Sequence, residues 1–396
     1  MAVLRKDNIS RGAHNMAGDG RVPDGYVRDM VNFDPRQGGS ATLRAGYELV
    51  APGTNVRLAV ALPNYVIFVD GADVKAFDRR TASTQVVGAV HPVAPVTGVV
   101  FNNRVYMTTT AGNISTDGGP VKPWGVPAPE FDLEVVPGSL PPGVYKVAVV
   151  ATGPDGEESG VDPIVVRLVE GRQVKLTSAD PRLLRVYASV ANGSTLFYQG
   201  VLVGGGMAIS TVDDHTERLA TEGLRPFPPC EQLVAHRGVI VGAYDNQLVY
   251  TVPLIPHLFD PLARFYQYPA AIKVLASTHG GVYVVADKTY FLTDLESNQP
   301  EQRVALDMDA VEGSATPLPD GRVAWFTRYG LAIGDSSGNV TLPNRDTYAP
   351  EVAQRGASGA LEYNGSLMVV TASRGATGPN NLTAGDFADL ETSDGR

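Results

Sequence analysis

The chain has little of what would build a disulfide framework, a membrane span or a nucleic-acid-binding surface. Its 396 residues include one cysteine, Cys230, so no disulfide can form within the chain. No stretch approaches the length of a membrane span, and the first residues lack the apolar core of a secretion signal, so we expect synthesis in a cytoplasm without membrane insertion. The net charge of −10 argues against a nucleic-acid-binding surface, because counterion release needs clustered lysine and arginine.

The familiar sequence marks of enzymes are also missing. The chain contains no nucleophile elbow, Walker loop, dinucleotide fingerprint or zinc-protease motif. Its six histidines do not fall at metal-ligand spacing with Cys230, which we expect to be a small core residue beside Pro228 and Pro229. The sequence therefore predicts no catalytic residue, no metal site and no cofactor.

What the chain has in quantity is turn residues and β-branched strand segments. The 43 glycines and 29 prolines are spread along the sequence, as in an all-β protein with many short strands. Apolar residues alternate on both sides of a short polar or glycine turn in residues 62–70, 99–107, 233–244, 274–285, 316–326 and 361–370. Each of these segments predicts a β-hairpin.

The hairpins recur at intervals of about 40 residues, which is the spacing of a β-propeller blade. A second strand pair usually follows, as at residues 70–77, 245–250, 287–292 and 329–334, and two hairpins in series make a four-stranded blade. The sequence therefore predicts an all-β fold, a β-propeller of about five to seven blades. The alternative is an irregular array of β-sandwiches, whose turns recur at closer and less regular spacing.

The pattern changes at the Pro-Ala-Pro sequence of residues 127–129. A tyrosine-bearing strand at 143–152, a Gly-Pro-Asp-Gly-Glu-Glu-Ser turn from Gly153 and an Arg-Val-Tyr strand at 184–190 follow. Together they resemble a fibronectin type III or immunoglobulin-like β-sandwich. The resemblance implies an inserted domain, and insertions are tolerated where they leave and return by exposed loops.

Four regions are predicted from these changes. They are an N-terminal segment at 1–50, the first blades at 51–128, the fibronectin III-like insert at 129–218, and the remaining blades with a C-terminal tail at 219–396.

The first 50 residues carry a more specific pattern. It consists of an early Asn-Met, an Arg-Asp-x-Val-Asn-x-Asp strand, a Gly-Gly pair and a Leu-Arg-x-Gly-Tyr sequence, which begin at Asn15, Arg28, Gly38 and Leu43. This opening resembles the N-terminal segment of bacteriophage virion proteins of the short-tail nozzle, tail-hub or head-completion type. In motif the similarity covers about 40 residues, and in the arrangement of propeller and insert it covers most of the chain.

The resemblance implies a structural protein of the phage tail and not an enzyme. It implies a homo-oligomeric ring of six copies around the DNA exit channel, a phage adaptor or portal-proximal tail protein as partner, and an insert that docks a tail fibre or neighbouring tail protein. Its location would be the virion tail after assembly in the host cytoplasm. The acidic balance would let DNA pass without sequence-specific binding. We also expect the strand at 27–34 to complete the last blade beside 361–371 and so close the propeller.

Two other functions stay open at this point. The first is a receptor- or glycan-binding tail protein, and the second is a glycan-cleaving propeller enzyme. Glycoside cleavage needs two carboxylates facing each other across a sugar. The candidates lie in polar, turn-like segments where acidic residues are ordinarily solvated, and they are Asp213, Asp214, Glu217, Asp307 and Asp309.

Several other segments have a structural interpretation beside a chemical one. The turn at 115–120 with Trp124 is similar to a sialidase turn, but Trp124 lies too far along the chain. The glycines at 204–206 lack a following Lys-Ser/Thr, so we expect a hinge and not a phosphate loop. His215 and His236 are expected to be ordinary loop or strand residues. The aromatic segment at 265–268, with Arg264, could stack a sugar, but core or rim packing is favoured.

Overall fold

The computed structural model of the chain describes residues 9, 11–17, 21–28, 33–35, 40–43, 49–109, 112–202, 205–297, 299–348, 353–363 and 366–375. Throughout these residues the secondary structure is strand, turn and coil, with no helix. The prediction of an all-β fold is therefore confirmed, and the chain is built of many small antiparallel sheets.

The N-terminal strands are short and pair among themselves. They are β1 (Gly12–Ala13), β2 (Tyr26–Val27), β3 (Phe33–Pro35) and β4 (Ala41–Leu43). β1 pairs with β2 in parallel and β3 pairs with β4 in antiparallel fashion. The expected pairing of 27–34 with 361–371 is not observed among the described residues, and much of the opening motif, including Asp29, Asn32, Gly38 and Tyr47, lies outside them.

Two four-stranded sheets follow, each made of consecutive antiparallel strands. The first is β5 (Val56–Ala61), β6 (Tyr65–Asp70), β7 (Asp73–Asp78) and β8 (Ser83–Ala89), and the second is β9 (Val96–Phe101), β10 (Arg104–Thr109), β11 (Gly112–Thr116) and β12 (Lys122–Pro123). Asn102 and Asn103 join β9 to β10 with φ angles of 47° and 59°. Two consecutive positive φ angles define the type I′ turn that asparagine tolerates, so the hairpin predicted at 99–107 forms as expected. Both sheets contribute to one apolar cluster that includes Ile67, Val69, Val105 and Met107.

The next strands form two sheets around a single core. They are β13 (Asp132–Leu140), β14 (Gly143–Thr152), β15 (Ile164–Leu168), β16 (Arg172–Thr177), β17 (Leu183–Ala188), β18 (Phe197–Leu202) and β19 (Gly206–Ile209). One sheet has the order β13-β16-β19 and the other the order β15-β14-β17-β18. Fully buried Val149, Leu176 and Val186, from different strands of both sheets, meet in one cluster. Alternate residues of each strand point to this cluster, as the period of a β-strand requires.

The remaining strands return to sheets of consecutive segments. A short pair joins β20 (Arg225–Pro226) to β24 (Leu258–Phe259), and four strands form the order β21 (Gln232–His236), β22 (Val239–Tyr244), β23 (Gln247–Tyr250) and β25 (Phe265–Gln267). Two further four-stranded sheets consist of consecutive strands. The first contains β26 (Val274–Ser277), β27 (Val282–Val285), β28 (Thr289–Thr293) and β29 (Glu301–Leu306). The second contains β30 (Thr316–Pro317), β31 (Val323–Thr327), β32 (Gly330–Gly334) and β33 (Val340–Thr341). The last two strands, β34 (Ala353–Tyr363) and β35 (Ser366–Gly375), form a two-stranded ribbon.

These elements divide into two compact units. One contains the described residues of 1–53, 244–247 and 268–396, and the other contains 54–243 and 248–267. In the first unit, Tyr283, Phe291 and Trp325 belong to one buried cluster that β26–β28 share with β31 and β32.

Candidate functional site

The second unit contains a cleft of about 320 Å³ with a partly polar lining. Three segments line it: strands β10–β12 with the residues that follow up to Gly125, the turn at 155–157 after β14, and the turn at 254–257 before β24. We call it the Tyr106 cleft. Ligand sites are commonly concave regions of about 300–1,000 Å³ with a few convergent polar groups, so this cleft is the candidate site.

Strand register brings two hydroxyl groups together in the cleft. Tyr106 of β10 lies directly opposite Ser115 of β11, and Ser115 lies opposite Lys122 of β12. Directly opposite residues of an antiparallel pair share one face of the sheet, with Cβ atoms about 4.5–5.5 Å apart. Tyr106 is 9 % exposed and Ser115 is 2 % exposed, and both line the cleft.

Packed aromatic rings support this face of the sheet. The rings of Tyr106 and Trp124 meet edge to face with centroids 5.1 Å apart, and Trp124 stacks on Phe227 at 5.2 Å. The Trp124 indole N–H donates a hydrogen bond to the Pro256 carbonyl oxygen at 2.8 Å, and the Trp124 backbone N–H donates to the Asn113 carbonyl at 2.9 Å. Trp124 therefore joins the turn at 254–257 to the sheet.

A group of charged side chains lies at the other wall. The Asp155 carboxylate accepts hydrogen bonds from Lys122 Nζ at 2.8 Å and from Arg104 Nη1 at 2.7 Å, and Arg104 also lies 4.0 Å from Asp117. The hydrogen bond from Lys122, followed by that from Arg104, lowers the pKa of Asp155 below its ordinary value. The Asp155 backbone N–H donates to the Glu157 carboxylate at 2.9 Å, which fixes the turn. These contacts tie the turn after β14 to the sheet of β9–β12.

His257 and Tyr106 are held in their neutral forms. Burial lowers the pKa of His257, and its Nε2 lies 2.9 Å from the Glu158 carbonyl oxygen, which can only accept a hydrogen bond. Nε2 therefore carries the proton. Burial raises the pKa of Tyr106, so its hydroxyl stays protonated at neutral pH and can both donate and accept.

The two cleft hydroxyls have no protein partner in the part of the chain that the structure describes. No hydrogen bond joins Tyr106 Oη or Ser115 Oγ to any residue there. Buried polar groups are hydrogen-bonded in the great majority of cases. Both hydroxyls are therefore available to bond a ligand in the cleft.

The carboxylates weighed in the sequence analysis lie elsewhere. Asp213 accepts a hydrogen bond from the His215 backbone N–H at 2.9 Å, and Glu217 pairs with Arg185 at 2.7 Å. The Asp214 carboxylate lies 3.6 Å from His215 Nδ1. In the other unit Asp307 pairs with Lys288 at 2.9 Å and Asp309 with Lys273 at 2.6 Å. None of these carboxylates lines the Tyr106 cleft.

The other sequence candidates have structural surroundings. Cys230 is a free thiol, 8 % exposed, which confirms the expectation of a core residue. His236 is buried in β21. Tyr266 stacks on Tyr250 at 6.4 Å with the Arg264 guanidinium 5.4 Å from the Tyr250 ring, and in the other unit Tyr268 donates to Gln302 at 2.9 Å. Of the glycine segment, residues 203 and 204 lie outside the described residues.

Only part of the cleft is recognisable in the sequence. The turn at 115–120 and Trp124 are similar to a sialidase turn but have the wrong spacing, and the turn at 153–159 indicates only the expected insert. Arg104, Tyr106 and His257 had no sequence signal, because the segments that meet here are far apart along the chain. Among the described residues, no group of histidine, cysteine and acidic side chains is placed to hold a metal ion, and no helix is long and apolar enough to cross a membrane.

Comparison with known proteins gives a distant structural likeness. No family model matches the chain, and no curated protein sequence is similar to it. Apo AztD from Citrobacter koseri is similar over 76 % of this chain and 74 % of its own, at 12 % identity and a TM-score of 0.34. The WD40 β-propeller domain of Doa1 is similar over 81 % of this chain and 90 % of its own, at 9 % identity and a TM-score of 0.28. Dipeptidyl peptidase 4 from Porphyromonas gingivalis is similar over 81 % of this chain and 42 % of its own, at 10 % identity and a TM-score of 0.32.

Proposed function

We propose that this chain is a structural protein of a bacteriophage tail, of the nozzle or tail-hub type, and not an enzyme. Its copies would form a closed ring around the DNA exit channel in the virion, after assembly in the host cytoplasm. The proposal starts from the resemblance of the opening sequence, from Asn15 to Tyr47, to virion proteins of this type.

The sheet pattern supports the fold that this proposal requires. Five sheets are meanders of four strands, and the second strand of such a sheet begins at Tyr65, Arg104, Val239, Val282 and Val323. Apart from the interval that the insert occupies, these strands recur at about 40 residues, the spacing of propeller blades. Two sheets around one core between the second and third meanders support an inserted sandwich of the fibronectin III or immunoglobulin kind.

The observation that carries the assembly is the ribbon of β34 and β35. Its base is held by a hydrogen bond from the Gly356 N–H to the Glu312 carbonyl at 2.8 Å. Beyond this point neither outer edge of the ribbon has a partner strand among the described residues. A two-stranded hairpin is marginally stable alone in water, and an unpaired edge is a template for another chain.

One face of the ribbon is apolar. Leu361 lies opposite Met368 and Gly359 lies opposite Val370, so these four residues share that face, and Leu361 and Val370 are 44 % and 46 % exposed. We assign this face to a neighbouring copy of the chain. A contact of one copy's ribbon on a different surface of the next copy is heterologous, and such contacts generate rings when the rotation closes.

The test is the oligomeric state of the full chain. Mass photometry and negative-stain electron microscopy of the purified wild type should show rings. When the purified protein is mixed with virion tails, ring-shaped density should be present at the tail tip. Leu361→Lys with Val370→Lys should shift the population to single copies. Val165→Lys, at a residue of β15 that is 63 % exposed, is the matched control and should leave rings intact. Single copies of the wild type at all concentrations, absent from virions, would contradict the proposal.

One observation favours the alternative of a receptor- or glycan-binding tail protein. The Tyr106 cleft offers the hydroxyl groups of two largely buried residues, Tyr106 and Ser115, which have no protein partner among the described residues and lie beside charged hydrogen-bonding groups. Glycan cleavage would need two carboxylates facing each other across a sugar, and none of the five carboxylates considered for that role lines this cleft.

A further inference from the structure

We propose that the Tyr106 cleft binds a neutral saccharide of one or two rings through the hydroxyls of Tyr106 and Ser115. The inference deepens the alternative of a glycan-binding tail protein and is independent of ring assembly, so either can fail while the other holds.

The two hydroxyls define the polarity of the ligand. Each is on a side chain that is at least nine-tenths buried, and each lines the cleft. A hydroxyl donates one hydrogen bond and accepts two, so it pairs best with a group that also does both. Sugar hydroxyls have this property, and the cross-strand placement of Tyr106 and Ser115 presents two such groups side by side.

The charges around the cleft argue against an anionic ligand. Arg104 and Lys122 both bond to Asp155, and the carboxylates of Asp117 and Glu157 lie close by. The two cations are thus already matched by carboxylates, and His257 adds no positive charge because burial holds it neutral. A phosphate, sulfate or carboxylate group would find no unmatched cation. A neutral ligand can still use the remaining N–H groups of Arg104 and the free lone pairs of the carboxylates.

The third wall supplies an apolar surface for the C–H faces of a sugar ring. Leu254 is 76 % exposed and has a φ angle of 63°, which is rare for a residue with a branched side chain. A hydrogen bond from the Leu254 N–H to the Gly238 carbonyl at 2.9 Å holds this conformation. Local strain of this kind is frequently kept at ligand sites. Ile255 and Pro256 continue the surface.

The cleft is also fixed before any ligand arrives. Asp155 ties the turn at 155–157 to the sheet, and the Trp124 indole N–H ties the turn at 254–257 to it. A ligand would therefore enter without ordering the walls, which limits the entropic cost of binding. The volume of about 320 Å³ is at the small end of ligand sites and suits one or two sugar rings.

The experiment is saturation-transfer NMR on the full chain with defined probes. Glucose, galactose, mannose, N-acetylglucosamine and maltose are the neutral probes, and N-acetylneuraminic acid and glucose 6-phosphate are the anionic ones. We expect at least one neutral sugar to bind and the anionic probes not to bind. Dextran and an immobilised neutral polysaccharide are two further neutral probes that distinguish the sources. Binding of free sugars identifies a soluble ligand, and binding of a polysaccharide without any free sugar identifies a surface glycan.

Two conservative variants place the binding in the cleft. Tyr106→Phe keeps the ring that packs on Trp124 and removes only the hydroxyl, and Ser115→Ala removes the other hydroxyl. Each should weaken the affinity about tenfold, as the loss of a hydrogen bond does. Tyr329→Phe and Ser83→Ala, at residues that do not line the cleft, are the controls and should bind as the wild type does. Binding of no neutral probe, binding of anionic probes alone, or unchanged affinity in both cleft variants would overturn the inference.

Discussion

Gly280 marks a point where two turns of neighbouring sheets meet with no room for a side chain. It lies between β26 and β27, and a Cβ atom at this position would lie 1.8 Å from the backbone carbonyl oxygen of Ser336, between β32 and β33. A backbone oxygen cannot rotate away as a flexible side chain can, so Gly280→Ala must displace one turn from the other. Overpacking of this kind costs about 1–3 kcal/mol.

The matched control is Gly359→Ala in β34, and both variants are measured at a protein concentration at which the chain is a single copy, because Gly359 lies on the ribbon face assigned to a neighbouring copy. A Cβ there would meet no atom within 4 Å, and the residue has no positive φ. Replacing a strand glycine by alanine at an open position stabilises a protein by about 0.5–1 kcal/mol. The two substitutions are chemically identical and should therefore differ in sign.

The assay uses the distribution of the two tryptophans. Trp124 belongs to one unit and fully buried Trp325 to the other, which also contains Gly280. In a Trp124→Phe background, Trp325 emission follows the unfolding of that unit alone. Gly280→Ala should lower its midpoint by about 2–12 °C, at about 2–4 °C per kcal/mol for a unit of this size. A midpoint equal to that of Gly359→Ala would refute the packing argument.

Two further predictions concern titratable groups. Hydrogen bonds from the Arg182 side chain and backbone lower the pKa of Asp180 to about 2. The contribution of the ionised Asp180 carboxylate to stability is therefore complete above its pKa in the unfolded chain, near 4, and is lost as the pH falls toward 2. The difference in melting temperature between wild type and Asp180→Asn should shrink over that range, and a difference that grows would show that the sign is wrong. Burial raises the pKa of the Cys230 thiol, so Ellman's reagent at pH 8 should modify it only after unfolding in urea, whereas full reaction of the native chain within minutes would contradict its burial.

Local signals explain which parts of the fold could be predicted. Turn chemistry is local, so the hairpin at 99–107 follows from Asn102 and Asn103, and the hairpin at 233–244 forms around Arg237 and Gly238. The segment 361–370 forms the predicted hairpin, although it was expected to be part of a four-stranded blade. It instead belongs to a ribbon with no further strand among the described residues, because strand alternation specifies a pair and does not specify what lies beside it.

The cleft required information that the sequence does not carry. Arg104 and Asp155 meet because the turn after β14 packs on the sheet of β9–β12, and His257 comes from a third segment. Tyr106 could be placed in a strand, yet the face on which its hydroxyl lies depends on register. Only the Ser115 turn and Trp124 had a recognisable pattern.

The bonds of Asp155 determine how the sandwich of β13–β19 would transmit a mechanical load. If a partner pulled on that sandwich, force would pass through Arg104 and Lys122 into the sheet of β9–β12 as well as through the connecting chain. These contacts are partly exposed and therefore screened by salt. The stiffness of the connection would accordingly decrease as ionic strength rises, so the medium around the protein would set how firmly the sandwich is held.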